Sequence, residues 1–313
     1  MAMPSSNPWH GSCDLQFSQQ AGISIHQGGC TAPFKLMRAE QGSNGRCELP
    51  LLHTAGGLVG GDQLSVRIKA EPCSRSLITS VAAQKVYGSV GRSKLHPKGI
   101  WSKQSCQFQL DSDSDLEWLP QELVIFEAGL FEQSMHVDLA PGACFLSAEI
   151  VRLGRTAAGE GLGAGQWRSS LEIKRNTPEG HRWELVDRLQ LGGDALSGIH
   201  GMSNQPVFGS LVWIAAQPVP TSTLTELLNQ CRDERAGLEG NMACGALTQG
   251  LIARYSGPSS QAARYWFSRI WAQTRAIRGL NPPQIPRVWP LQENPFQHKA
   301  SIANISIAKT SAH

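Results

Sequence analysis

The chain has 313 residues, 41% of them hydrophobic, and a formal net charge of only +3, enough to bury one large core or two ordinary ones. No dense basic run is interleaved with aromatic residues, so a nucleic-acid partner is not supported. The first residues carry neither a charged n-region nor an apolar h-region, and the longest apolar run, residues 207–216, is too short to span a bilayer, which reads as a cytoplasmic chain without a membrane anchor.

Residues 1–8 read as a flexible N-terminus. From Trp9 to about Ser169 short apolar or alternating runs recur between Gly, Pro, Asp and Ser: residues 15–17, 34–37, 64–68, 77–81, 107–110, 123–126 and 144–146. Regular short strands of this kind predict an all-β core. Residues 49–89 form the most distinctive stretch. The doublets Gly56-Gly57 and Gly60-Gly61 end in Asp62, and an alternating run from Gln63 to Lys69 follows, so a tight turn feeds a half-buried strand. A phosphate loop would need Lys-Ser or Lys-Thr after its last Gly and then a helix; Asp62-Gln63 and a strand exclude it. Residues 76–81 predict the next strand, at whose end small residues let Lys85 and Tyr87 stand close to a neighbouring surface.

Residues 111–115 (DSDSD) read as a solvated turn, lacking the Gly and distal Glu of a calcium-binding EF-hand. Residues 116–122 (LEWLPQE) are unusual for a strand, with two acids, an indole and a Pro; Trp118 reads as core and Pro120 as an edge or bend. The run Gly159-Glu160-Gly161-Leu162-Gly163-Ala164 fits G-x-G-x-x-A by spacing, but a strand follows it and no βαβ frame surrounds it, so it is a loop. Strands continue at 183–189 and 208–215. Two helices are predicted: residues 221–236, with Leu224, Leu227, Leu228 and Cys231 on one face behind Ser and Thr residues able to cap its start, and residues 260–278. The second sets Phe267, Ile270, Trp271, Thr274 and Ile277 along one side and Arg264, Arg269, Arg275 and Arg278 elsewhere, a basic face for solvent or an acidic partner. Residues 281–290 are too Pro-rich for helix or central strand, and 291–313 read as a polar, disordered tail. Eight Cys and nine His are dispersed without C-x-x-C, H-x-x-x-H or H-E-x-x-H, so neither a tightly bound metal nor a disulfide framework is indicated.

Five blocks in order resemble the UreD (UreH) family of urease accessory proteins. They are residues 53–62 (HTAGGLVGGD), 82–87 (AAQKVY), 116–122, Leu153-Gly154-Arg155 with Gly159-Glu160, and Pro286-Arg287-Val288-Trp289. The family commonly has Pro in place of Ala55 and Arg in place of Gly88. The resemblance implies a mainly β, β-helix-like single domain over residues 9–290 with two α-helices toward the C-terminus. It implies a non-catalytic chaperone that works with UreF, UreG and the urease apoprotein, with a homodimer in that complex left open. It implies no tightly bound cofactor, only Ni²⁺ in transit.

A scaffold that hands on Ni²⁺ needs weak, exchangeable ligands, since a complete high-affinity site would retain the ion. Asp62, Glu117, Glu149 and Glu160, within or next to the matching blocks, are the expected path residues. Lys85, Tyr87, Tyr265, Trp266, Trp271, Arg287 and Trp289 are the expected partner contacts, with the aromatic second helix and residues 286–289 facing UreF. The alternative is a β-solenoid carbohydrate-active enzyme using Asp62, Glu117 and Glu160 as acid and base.

Overall fold

A computed structural model describes residues 8–291 and 293–296; the expected flexible segment 1–8, apart from Pro8, and most of the expected tail 291–313 lie outside them. Two long strands open the fold, β1 (His10–Gln20) and β2 (Ile23–Cys30), followed by short β3 (Phe34–Leu36) and β4 (Glu40–Gln41). The chain then climbs a ramp, alternating between two facing sheets. β5 (Cys47–His53) lies in the second sheet and β6 (Gln63–Ala70) in the first; β7 (Arg75–Ser80) returns to the second. After the short β8 (Gln84–Val86), β9 (Ser102–Leu110) is again in the first sheet. The pattern repeats with β10 (Asp115–Leu119), β11 (Leu123–Ile125) and β12 (Leu130–Leu139), then with β13 (Cys144–Leu153) and β14 (Gln166–Thr177).

Strands one rung apart pair in parallel: β1, β6, β9, β12 and β14 in the first sheet, β5, β7, β10 and β13 in the second. β8, β11 and the end of β13 form a narrow third side, also parallel. This is the β-helix-like body the resemblance implied. Antiparallel strands finish it: β15 (Gly180–Leu191) on β14, and β16 (Val207–Ile214), β18 (Gly250–Gly257) and β17 (Asn241–Leu247) beyond β13. The helices are a single turn, α1 (Asp194–Ser197), and the two predicted ones, α2 (Thr221–Asp233) and α3 (Ser260–Ile277). Among the described residues no helix is long and apolar enough to cross a membrane.

Alternation along each strand sends every second side chain into the space between the sheets. Leu64, Val66 and Ile68 of β6, Phe108 and Leu110 of β9, Val137 and Leu139 of β12, and Phe145 and Val151 of β13 meet there. The other face of the second sheet is buried as well, beneath α2, α3 and the stretch around Trp289. This explains the fully buried, acid-bearing β10: Leu116 and Trp118 point between the sheets, while Asp115, Glu117 and Leu119 point toward the helices.

Three expectations change here. The Ser and Thr residues do not cap α2; Pro220 precedes it without a side-chain cap, whereas Ser259 caps α3 by accepting the Ala262 N–H at 3.1 Å. Tyr265, Trp266 and Trp271 do not face a partner, because the chain's own second layer buries them: each is at most 5% exposed, and the Trp266 indole donates to the Cys231 carbonyl at 2.8 Å. The Arg residues of α3 are not a solvated face either. Arg264 donates to the Pro120 carbonyl and stacks on Trp289, while Arg275 and Arg278 close on Asp115 and Glu117.

Candidate functional site

Between the sheets one layer breaks the apolar pattern. On the first sheet the inward positions of β9, β12 and β14 at one level are Gln104, Gln133 and Ser169, in direct register. Facing them on the second sheet, the matching row is Glu149 of β13, Ser210 of β16 and Arg254 of β18. Apolar neighbours on the same strands, Phe131 and Trp167 on one side and Met135 and Leu171 on the other, hold the adjacent layers of the first sheet. Gln104, Gln133, Ser169, Glu149 and Ser210 line a cavity of about 120 Å³, which also takes in Gln84, His53, Cys106 and Asp187; Arg254 stands behind it, paired with Asp187.

The row is linked by hydrogen bonds. Gln133 Nε2 donates to the Glu149 carboxylate and lies 3.2 Å from Ser169 Oγ; Gln84 donates to Gln104 Oε1 at 3.3 Å; Arg254 and Asp187 pair at 2.6 Å. Glu149 is half-buried and lines the cavity. Burial pushes its carboxyl up to about 7, against the lowering effects of the Gln133 hydrogen bond and the Arg254 charge. The group therefore holds or gives up a proton near neutral pH, and such carboxyls concentrate at functional sites. Burial also lowers the His53 imidazole, partly offset by Asp62, and its Nε2 is buried with no hydrogen-bond partner among the described residues. Oxygen donors, an unpartnered imidazole nitrogen and a thiol thus share one void. Among the described residues no three His, Cys, Asp or Glu side chains converge as a metal site.

The four acids singled out in the sequence do not come together. Glu149 alone lines the cavity. The Asp62 carboxylate ties the glycine turn, accepting the Trp9 N–H at 3.1 Å and the Val59 N–H at 2.9 Å, while Gly61 takes φ +100 to let the chain turn. Glu117 sits under α3 among Arg46, Arg275 and Arg278. Glu160 pairs with Arg155, which stacks 4.6 Å from Phe126. Asp62, Glu117 and Glu160, each engaged at a different place, do not form the carboxylate pair a glycosidase needs.

Of the expected partner contacts, Lys85 is exposed, and Tyr87 packs edge-on to Phe126 and donates to the Gly56 carbonyl at 3.3 Å. Arg287 is exposed and pairs with Glu40 at 3.1 Å, whereas Trp289 is buried against Trp271. Sequence reasoning missed Gln104, Gln133, Ser169, Asp187 and Arg254. The available signal was a polar residue in the apolar phase of an alternating strand, as in Phe131-x-Gln133-x-Met135-x-Val137.

The fold and site together define a parallel β-solenoid with a polar void inside and a helical cover. The model of the UreD urease accessory protein family matches residues 10–290, and the chain belongs to that family. It is 63% identical to the urease accessory protein UreD of Synechococcus sp. (strain CC9902) over 307 residues, covering 98% of this chain and 99% of the relative. It is 62% identical to that of Prochlorococcus marinus (strain MIT 9303), covering 93% of this chain and all of the relative. A third relative, from Synechococcus sp. (strain CC9311), is 64% identical over 291 residues, 93% of this chain and 98% of its own. These relatives are accessory proteins, not catalysts, and the role is in urease maturation.

Proposed function

We propose that the chain is a non-catalytic scaffold that joins UreF and UreG on the urease apoprotein and lets Ni²⁺ pass through its polar interior. The observation that carries this is the row of Gln104, Gln133 and Ser169 facing Glu149 and Ser210 across the cavity. Neutral oxygens spread along a row bind a hydrated divalent cation weakly enough to release it, while one carboxylate supplies attraction. Glu149 can exchange its proton for the cation, which couples passage to protonation. Asp62, Glu117 and Glu160 have structural partners of their own, so the cargo role narrows to Glu149.

The test is Glu149→Gln in the full-length chain, co-expressed with urease and the other accessory proteins, with nickel per urease active site and co-purification both measured. Partner binding is expected to persist while nickel content falls severalfold. Fully nickel-loaded urease from both Glu149→Gln and Glu149→Leu strains would refute the path.

A further inference from the structure

The link between β8 and β9 leaves the solenoid as a long loop, residues 87–101, with its own charge. Residues 88–103 carry Arg92, Lys94, Lys98 and Lys103 and no acid, whereas the whole chain has a net charge of only +3; the cationic excess is concentrated here. Lys103 pairs with Glu132 at 3.3 Å, but among the described residues Arg92, Lys94 and Lys98 make no ion pair, and all three are exposed.

The loop also holds apolar surface out in water. Leu95 at its tip is 86% exposed, more than any other large hydrophobic residue among those described. At its base Ile100 is exposed beside the glycine turn, where a Cβ on Gly60 would strike the Ile100 carbonyl at 2.9 Å, and the same turn presents Val59 and Trp9. Four of the nine exposed large hydrophobics thus belong to this one corner, and clustered exposed apolar groups mark partner surfaces.

The loop is held in shape. Ser89 Oγ accepts the Ile100 N–H at 2.7 Å and donates to its carbonyl at 2.9 Å, closing the base. The Val90 N–H reaches the Ala128 carbonyl at 3.1 Å, the Gly91 N–H reaches that of Pro97 at 3.0 Å, and Ser93 Oγ accepts the N–H groups of Leu95 and His96. A tip ordered before binding loses little conformational freedom on docking.

We propose that this loop is a docking hook, Leu95 entering an apolar pocket on an acidic protein surface while Arg92, Lys94 and Lys98 meet the acids around it. Resting on the function proposed above, the partner is the urease apoprotein. A second copy of this chain meeting the loop with its own matching corner is disfavoured, since that corner is equally cationic and would repel.

The experiment measures binding of the full-length chain to purified urease apoprotein by surface plasmon resonance at 0.05 and 0.5 M NaCl. Three chains are compared: wild type, Leu95→Ala, and Lys94→Glu with Lys98→Glu. All three changes lie on exposed side chains, and unaltered circular dichroism and thermal midpoints confirm folding. Wild-type affinity is expected to fall with salt. Leu95→Ala is expected to weaken it about tenfold, and the double reversal at least as much, with the salt dependence abolished. Variants that bind like wild type at both salts overturn the hook and leave the scaffold role intact. No binding by wild type at low salt overturns both. Loss in the variants of binding to phosphatidylserine vesicles, with urease binding unchanged, would reassign the loop to an anionic membrane and also overturn the proposal.

Discussion

Replacing Glu117 with Gln tests whether that acid is structural. Its side chain is fully buried and meets three guanidinium groups, with Arg46 at 2.8 Å, Arg275 at 3.2 Å and Arg278 closer still; Asp115 also serves Arg46 and Arg278. Three cations against two anions leave the buried cluster at +1, and Glu117→Gln raises it to +2. Breaking a buried pair from one side costs about 3–5 kcal/mol, a large share of a net stability of about 5–15 kcal/mol. With an unfolding entropy of about 2.1 cal/mol/K per residue over 313 residues, a loss of ~4 kcal/mol lowers Tm by about 6 °C. Differential scanning calorimetry and urea denaturation of the purified chain measure this, and a double-mutant cycle with Arg278→Met isolates the pair. A Tm within 1 °C of wild type, together with lost nickel delivery, would refute the structural role and return Glu117 to the cargo path.

Two further outcomes are expected. In Asp62→Ala the Trp9 and Val59 N–H groups lose their acceptor, so stability falls by about 2 kcal/mol in urea denaturation; a loss under about 0.5 kcal/mol contradicts the role of Asp62 in tying the glycine turn. Glu149 has a folded-state carboxyl raised from 4.5 to about 7, so the folded chain binds the extra proton between those pH values. Its contribution to stability therefore falls as pH rises through that window, by roughly 3 kcal/mol, and is level above it. Glu149→Gln is expected to flatten that slope and to be the more stable form at pH 8, and a wild-type slope in the variant would show that another group titrates.

The strands were readable because their inward and outward phases differ: Leu64, Val66 and Ile68 alternate with Ser65 and Arg67, and the structure buries the former. Rung stacking was not, because a parallel neighbour lies one whole circuit of the ramp away, as with Val66 and Cys106. The two helices were found within a few residues of their ends. Their surroundings were misjudged, since a helix with aromatic residues on one side and Arg on the other resembles a surface helix until the acids that receive the Arg are located on β10, some 150 residues earlier. Glu149 was legible only as an acid beside a matching block. What distinguishes it is the company of Gln133, Ser169 and Arg254, which three separate strands supply and no local pattern announces.

The α3 seal also orders events during synthesis. Arg275 reaches back 232 positions to Ser43, and Arg287 reaches back 249 to the Arg38 carbonyl, so the last segments made secure some of the first. Until α3 leaves the ribosome, Arg46 alone among these guanidinium groups meets the carboxylates of Asp115 and Glu117, and the outer face of the second sheet lacks the cover of α3 and of the stretch around Trp289. A nascent chain halted before residue 260 is thus a half-clad solenoid with uncompensated acids and a wet apolar flank, a form that quality-control proteases can tell from the finished molecule.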